Sequence, residues 1–321
     1  SMLEDALDHP FAGVYGTKMI PNNEFEEDQR FLRLEEAVKF VYATTFFAES
    51  RAYLASVKQD IGEEKMAVII QEVVGQRFGD RFYPSVSGVA RSHNFYPTGL
   101  AKPSDGVISL ALGLGKTIVD GGFSWSFSPA FPKAPPPFNN VGELLKNTQT
   151  EFWAVHMGEP PAHDPIRETE HMVHSGIADA KSDGSLRFLV STYDAGSDRL
   201  NPGLDGRGPW ALTFAPLIGS RLMPFNDVFR RLLELSEDVL QSPVEIEFAV
   251  DLHRDDALPA RVGFLQVRPM MVDATRIEIS SDDLVGDSVL LASENVLGNG
   301  HTTDLTDIVF IPPDLFDTTA T

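Results

Sequence analysis

Two short stretches late in the chain hold residues that could do chemistry together. Val244-Glu245-Ile246-Glu247-Phe248-Ala249-Val250-Asp251 and Gly263-Phe264-Leu265-Gln266-Val267-Arg268-Pro269 both alternate apolar and polar residues at period two, the pattern of strands with one covered face. Glu245 and Glu247 share a face of the first, while Val244, Ile246 and Phe248 take the other. Gln266 and Arg268 share a face of the second, opposite Leu265 and Val267. The polar connection from Leu252 to Val262 is long enough for a hairpin. If the polar faces align, two carboxylates, an amide oxygen and a guanidinium converge on one patch. Carboxylate and amide oxygens suit Mg2+, and an arginine offers a planar fork to phosphate oxygens, so the patch suits a nucleoside triphosphate. The same residues also suit a sheet surface carrying cross-strand charge pairs.

Such strands need elements to hold them. Asn226 to Gln241 reads as an amphipathic helix with Val228, Leu232, Leu235 and Val239 inward, and it feeds directly into the Glu245 strand. Glu26 to Val57 reads as a long helical segment with Phe31, Leu34, Val38, Val41 and Tyr42 on one buried face. Met66 to Val74 reads as a buried strand, and Gly184 to Phe214 as a hairpin or meander with a glycine-rich turn. His9 to Thr17, with a proline and two glycines, is loop-like. Leu110 to Thr117 invites a P-loop reading, but a Walker motif needs glycine five residues before Gly115 and Leu110 stands there. His156, His163, His171 and His174 cluster in the middle of the chain. His171 and His174 would share a helix face, as a metal pair or, the favoured reading, as solvated polar side chains.

Composition narrows the classes. A chain of 321 residues with 42% hydrophobic and 23% charged residues can bury a sizeable core in one large domain or two smaller ones. A net charge of -21 argues against a nucleic-acid partner, since no basic excess exists to displace counterions. The absence of cysteine removes disulfides, thiolate metal sites and cysteine nucleophiles. The apolar run Met66 to Ile70 is cut short by Gln71, far below a membrane span, and the opening residues lack the apolar stretch of a secretory leader. The expectation is a cytoplasmic protein with no membrane association.

Glu245-x-Glu247-apolar on one strand and Leu265-Gln266-x-Arg268-Pro269 on the next resemble the signature closing the ATP-grasp domain of phosphoenolpyruvate synthases and pyruvate phosphate dikinases. Other segments match that family in order. Val41 to Phe47, with Arg51 and Tyr53, resembles one of its helices, and Gly113-Leu114-Gly115 with Asp120-Gly121 resembles its Gly-Leu-Gly segment, where the glycines serve close packing. Ser87-Gly88-Val89-Ala90-Arg91-Ser92-His93-Asn94 is similar to its Ser-Gly-Val-Ala/Met-Phe-Thr-Arg-Asn, with His93 in place of the arginine and Arg91 two positions earlier.

The resemblance implies an α+β ATP-grasp nucleotide-binding fold, incomplete at its N-terminal side, over residues 1–275, with 276–321 as a linker and the start of a following swivelling domain. It implies ATP and Mg2+ as cofactors. Gly13 and Thr17 would lie in a loop over the phosphates, and Gln71, Glu72 and Val73 would hold adenine through their backbone. Glu247 and Gln266 would bind metal, and Glu245 would make a second metal or ribose contact. Arg268 and Glu247 would be catalytic, with Arg268 on the terminal phosphates. In the family, phosphate passes from ATP to a histidine on another domain and then to pyruvate, so the partners implied are the phosphohistidine and pyruvate-binding domains of a longer chain. His301 does not match the phosphohistidine motif. The family's ATP-binding lysine and arginine fall before Leu3, so the chain is expected to fold yet bind ATP weakly. Two alternatives stand beside this: a sibling enzyme phosphorylating a glucan or small alcohol, and a non-catalytic nucleotide-binding module.

Overall fold

The computed structural model describes residues 13–56, 62, 64–134, 138, 140–204, 208–220, 223–252, 260–270, 272, 285, 286, 289, 290, 306 and 307. The expectations for His9 to Ala12, for the 253–259 connection and for His301 fall outside them. The chain divides into two units, Ser1–Met271 and Val272–Thr321. In the second, the Val289 N–H donates to the Gly286 carbonyl. The first unit holds every helix and strand described below.

In chain order its elements begin with α1 (Glu27–Thr44), α2 (Ala48–Ser56), β1 (Gln76–Phe78), β2 (Arg81–Tyr83), β3 (Val86–Arg91), β4 (Val107–Ala111), α3 (Lys116–Val119) and β5 (Trp125–Phe127). There follow α4 (Val141–Lys146), β6 (Glu151–His156), β7 (Met172–Gly176), α5 (Ile177–Asp183), β8 (Val190–Asp194), β9 (Arg199–Pro202) and β10 (Trp210–Leu212). The last are α6 (Ala215–Ile218), α7 (Phe225–Leu240), β11 (Val244–Asp251) and β12 (Arg261–Pro269). The strands form a five-stranded sheet in the order β12-β11-β3-β4-β5, a four-stranded sheet β1-β2-β6-β7 and a three-stranded sheet β10-β8-β9. Every pairing is antiparallel. This mixed architecture is compatible with an α+β nucleotide-binding domain.

The five-stranded sheet turns one face to the core. Ile246, Phe248 and Val250 of β11, Val86 and Ala90 of β3, and Ile108 and Leu110 of β4 are buried there. α7 covers this face with Phe225, Phe229 and Leu233, and the Phe229 and Phe248 rings lie 4.0 Å apart. Gly88 makes the approach possible, because a Cβ there would come within 2.2 Å of Phe248 Cζ. Tyr83 and Phe152 of the second sheet join the same core, their rings 4.7 Å apart.

Several expectations are corrected. The segment from Glu26 onward is two helices, interrupted where Thr45, Phe46 and Phe47 donate to carbonyls three residues back. Thr44 and Ser50 draw backbone groups into side-chain bonds at the break: Thr44 Oγ1 accepts from the Gly16 N–H at 3.1 Å and Ser50 Oγ donates to the Thr44 carbonyl at 2.6 Å. The inner face of α1 is Ala37, Phe40 and Thr44, whereas Phe31 and Tyr42 are 66% and 48% exposed. Residues 66–74 form no strand, and Ile69 and Ile70 stand exposed, because no neighbouring strand pairs with their backbone. α7 is helical and amphipathic as expected, and Leu232 packs against the core as expected, but the fully inward residues are Phe225, Phe229 and Leu233, while Val228, Leu235 and Val239 face outward. In the Gly184 to Phe214 stretch β8 and β9 form a hairpin from Val190 onward, and β10 returns to the other edge of β8 rather than continuing a meander; residues 184–189 are turns.

Candidate functional site

The hairpin forms as its alternation requires. β11 and β12 pair with Glu245 opposite Arg268 and Glu247 opposite Gln266, so all four side chains emerge on the sheet face away from α7. β3 continues the rows, with Arg91 opposite Glu245 and Val89 opposite Glu247, and β4 adds Val107 opposite Arg91 and Ser109 opposite Val89. The register slips between Glu247 and Phe248, where Leu265 is an extra residue on β12. Such a bulge raises the local twist and re-aims side chains beside it.

Glu245 is the buried centre of this face. It is 6% exposed, and both its oxygens are taken. Arg91 Nε donates to Oε2 at 2.5 Å. Arg268 donates to Oε1 through Nε at 2.8 Å and also through Nη2. One carboxylate is thus held between two guanidiniums from different strands, a charge-assisted arrangement stronger than neutral hydrogen bonds. This is the cross-strand pairing that a charged sheet surface would also make, extended to a third strand. Arg91 was missed as a member of the site. Its alternation with Val89 and Ser87 puts it on a face, but nothing in the sequence names the strand opposite.

One step along, Glu247 is half-buried and Gln266 exposed. Their oxygens fit a hard cation of the Mg2+ type, which keeps several waters and takes one or two carboxylates plus phosphate oxygens rather than a full protein cage. Among the described residues no cluster of three or more His, Asp or Glu side chains is arranged for a metal. At the far end of β11, Asp251 is 3% exposed and accepts from Gln76 Nε2 at 2.6 Å.

Gln71 reaches the hairpin, its Nε2 donating to the carbonyl of the bulge residue Leu265 at 3.0 Å. Val74 packs so tightly on β12 that a Cβ at Gly263 would come within 2.5 Å of its Cγ2. Glu72 and Val73 therefore run beside β12, where Glu72 makes an exposed ion pair with Arg261 at 3.9 Å. Gly13 and Thr17 belong to a different framework. Gly13 takes φ +84°, and the residues between it and Thr17 are anchored on α1 and α2 through Gly16 to Thr44, Ser50 to the Val14 carbonyl, and the packing of Val14 and Tyr15 on Leu54. Gly113 has a structural place: it takes φ +81°, and a Cβ there would come within 2.7 Å of the Trp153 carbonyl.

The histidines are not on a helix. His174 lies in β7 with its ring 4.6 Å from that of Trp153, and His171 precedes the strand. His171 is buried, against the expectation of a solvated side chain, and burial lowers its pKa. Beside it Glu170 and Lys18 form a 2.7 Å ion pair, each side chain 4% exposed. Burial alone would raise the Glu170 pKa, but the bonds from Lys18 and the Asp164 N–H outweigh it and hold the carboxyl below its usual value. His93, in the position of the family's arginine, packs its ring 4.9 Å from Phe95, and burial lowers its pKa despite Glu237.

Among the described residues no helix is long and apolar enough to cross a membrane. A search of curated proteins gives no match. Residues 1–137 match the family model described as pyruvate phosphate dikinase, AMP/ATP-binding domain, a stretch that supplies β3, β4 and β5 to the sheet the hairpin completes. Those 137 residues, under half of the chain, are thus similar to the N-terminal nucleotide-binding domain of the pyruvate phosphate dikinase family.

Proposed function

We propose that the chain is the ATP- and Mg2+-binding part of a phosphotransferase resembling phosphoenolpyruvate synthase and pyruvate phosphate dikinase, built on an ATP-grasp nucleotide-binding fold and working in the cytoplasm. Its phosphate acceptor is a histidine on another domain of a longer chain. The observation that carries the reading is the register of the hairpin, Glu247 with Gln266 and Glu245 with Arg268 on one face, in the same sheet as the family-matched strands. Phosphoryl transfer is mostly alignment and charge neutralisation, so it asks for oxygen ligands and an arginine close together. Glu247 and Gln266 would hold Mg2+, which supplies charge neutralisation at the phosphate oxygens when bound. Arg268, fixed by two hydrogen bonds to Glu245, would orient the terminal phosphates. Because guanidiniums take both its oxygens, Glu245 contributes through the arginines it holds rather than as a ligand of a second metal. Gln71, Glu72 and Val73 would border adenine along β12, and Gly13 and Thr17 would belong to the loop over the phosphates.

The test is calorimetric titration of ATP with and without Mg2+ on the wild type and Arg268→Lys, with turnover of the full-length enzyme alongside. A lysine supplies a point charge and cannot reproduce the planar fork, so turnover should fall at least tenfold more than ATP affinity. Near-normal turnover would reduce Arg268 to a cross-strand charge pair. A wild-type chain indifferent to ATP would remove the nucleotide reading.

A further inference from the structure

Arg91 is not accounted for by the hairpin. It comes from β3, whose neighbour on the same face is the buried Val89 and whose partner on β4 is Val107, so an apolar residue would fit the position. It meets Glu245 through Nε alone, and among the described residues its two terminal NH2 groups have no partner. Its side chain is 36% exposed, against 7% for that of Glu245, so the unused donors stand where solvent and solutes reach. Arg268 approaches the other oxygen of the same carboxylate. Two guanidiniums within one hydrogen bond of a shared carboxylate are near enough for a single oligophosphate to touch both. The row Arg268–Glu245–Arg91 carries two positive charges against one negative, and a guanidinium matches phosphate oxygens in pairs.

We propose that Arg91 is a second phosphate-positioning residue, held with Arg268 on the shared carboxylate of Glu245 and directed at the terminal phosphates of a nucleoside di- or triphosphate. The proposal rests on the nucleotide reading of this face and extends it to a third strand. Glu245 acts as the pivot: it offsets the repulsion between the arginines and fixes the azimuth of each fork before ligand arrives. An interaction confined to terminal phosphates depends on phosphate number, whereas general damage to the fold does not.

The experiment titrates the full chain and its Arg91→Gln and Arg91→Lys variants with MgATP, MgADP, AMP and inorganic tripolyphosphate by calorimetry, with melting curves as the control of folding. Arg91→Gln should lose about tenfold or more in affinity for MgATP and tripolyphosphate, with AMP changed less than twofold. Arg91→Lys, which keeps the charge and the pairing with Glu245, should lie between, and it carries the test if the glutamine variant does not fold. Unchanged affinity for MgATP and tripolyphosphate in either folded variant, or an equal loss for AMP, overturns the proposal. Arg91-dependent binding of tripolyphosphate with ATP no tighter upholds the proposal and removes the nucleotide reading. Binding of MgATP that ignores Arg91 does the reverse, and a wild type that binds neither probe overturns both.

Discussion

Glu245→Gln is the most informative perturbation of the row. It keeps side-chain shape and removes the charge that two guanidiniums share. In the wild type the carboxylate accepts three N–H bonds, one from Arg91 and two from Arg268. A glutamine can turn its oxygen to one arginine only, and its NH2 then faces the N–H groups of the other. One charge-assisted bond is lost outright, at about 1.5–3 kcal/mol, and the rest become charge-to-neutral bonds worth roughly a kcal/mol less. The arginine side chains are 36% and 22% exposed, so water recovers part of this. The net cost should be about 2–4 kcal/mol, a melting point lowered by on the order of 5–10 °C for a unit of this size.

Urea unfolding followed by tryptophan fluorescence is the assay, because Trp125, Trp153 and Trp210 all lie in the unit that holds the row. The midpoint should fall with the slope unchanged. In an Arg91→Gln background the same substitution should cost at least about 1 kcal/mol less, since the amide then meets a single guanidinium. A loss below about 0.5 kcal/mol, or additivity of the two substitutions, would show that the row is not electrostatically coupled.

Gly88→Ala should destabilise by about 1–3 kcal/mol, because the new methyl meets a Phe248 ring held by Phe225 and Phe229, and chemical unfolding should show the cost shrinking in a Phe248→Leu background. Wild-type stability in Gly88→Ala would refute that packing. Burial holds the His171 pKa below 6.5, with Glu170 and Glu36 opposing and Arg33 and Lys18 reinforcing. The unfolded chain therefore takes up the proton first, and stability present above pH 6.5 should erode as pH falls from there toward the lower folded value. Glu170, held below 4.5, adds its loss only in more acid solution. Urea midpoints between pH 8 and 5 should fall less steeply in His171→Gln than in the wild type; equal slopes would remove His171 from the account.

The hairpin was legible because its evidence is local. Period-two alternation fixes the faces, and one connection makes the strands neighbours, so Glu245, Glu247, Gln266 and Arg268 could be put on one patch. The bulge at Leu265 inverts the alternation, putting Phe264 opposite Phe248 while Gln266 stays opposite Glu247, and its one trace in the sequence is the adjacent apolar pair Phe264-Leu265, which the period-two reading passed over. Arg91 was not legible as a partner because it lies 154 positions from Glu245 and only the order of strands brings it there. In α7 the period was right and the phase wrong. Phe225 and Phe229 at a spacing of four claim the interior more strongly than the smaller Val228 and Val239, and the sheet beneath has room for rings where it has glycine at position 88. Residues 66–74 misled because β-branched apolar composition describes what fits a sheet, while a strand exists only where another offers its backbone.

The composition of the polar face bears on why it exists. Arg268 gives both its bonds to Oε1, so Oε2 needs no more than one neutral donor, and apolar residues at 245, 268 and 91 together would serve the fold as well or better, since buried ion pairs repay their desolvation poorly. Val89 and Val107 on the same face show that apolar side chains fit there. A second arginine adds a positive charge beside an already paired carboxylate, which raises the cost of the isolated face and leaves donors unused. That expense is recovered only when an anion arrives. Rows of this kind trade stability in the empty state for preorganised donors in the loaded one. Arg91→Leu strips Oε2 of its donor and should cost about 1–2 kcal/mol, the exposure of the arginine moderating the loss, while weakening the hold on tripolyphosphate. Loss of stability together with unchanged binding would show instead that the third strand's arginine serves the fold.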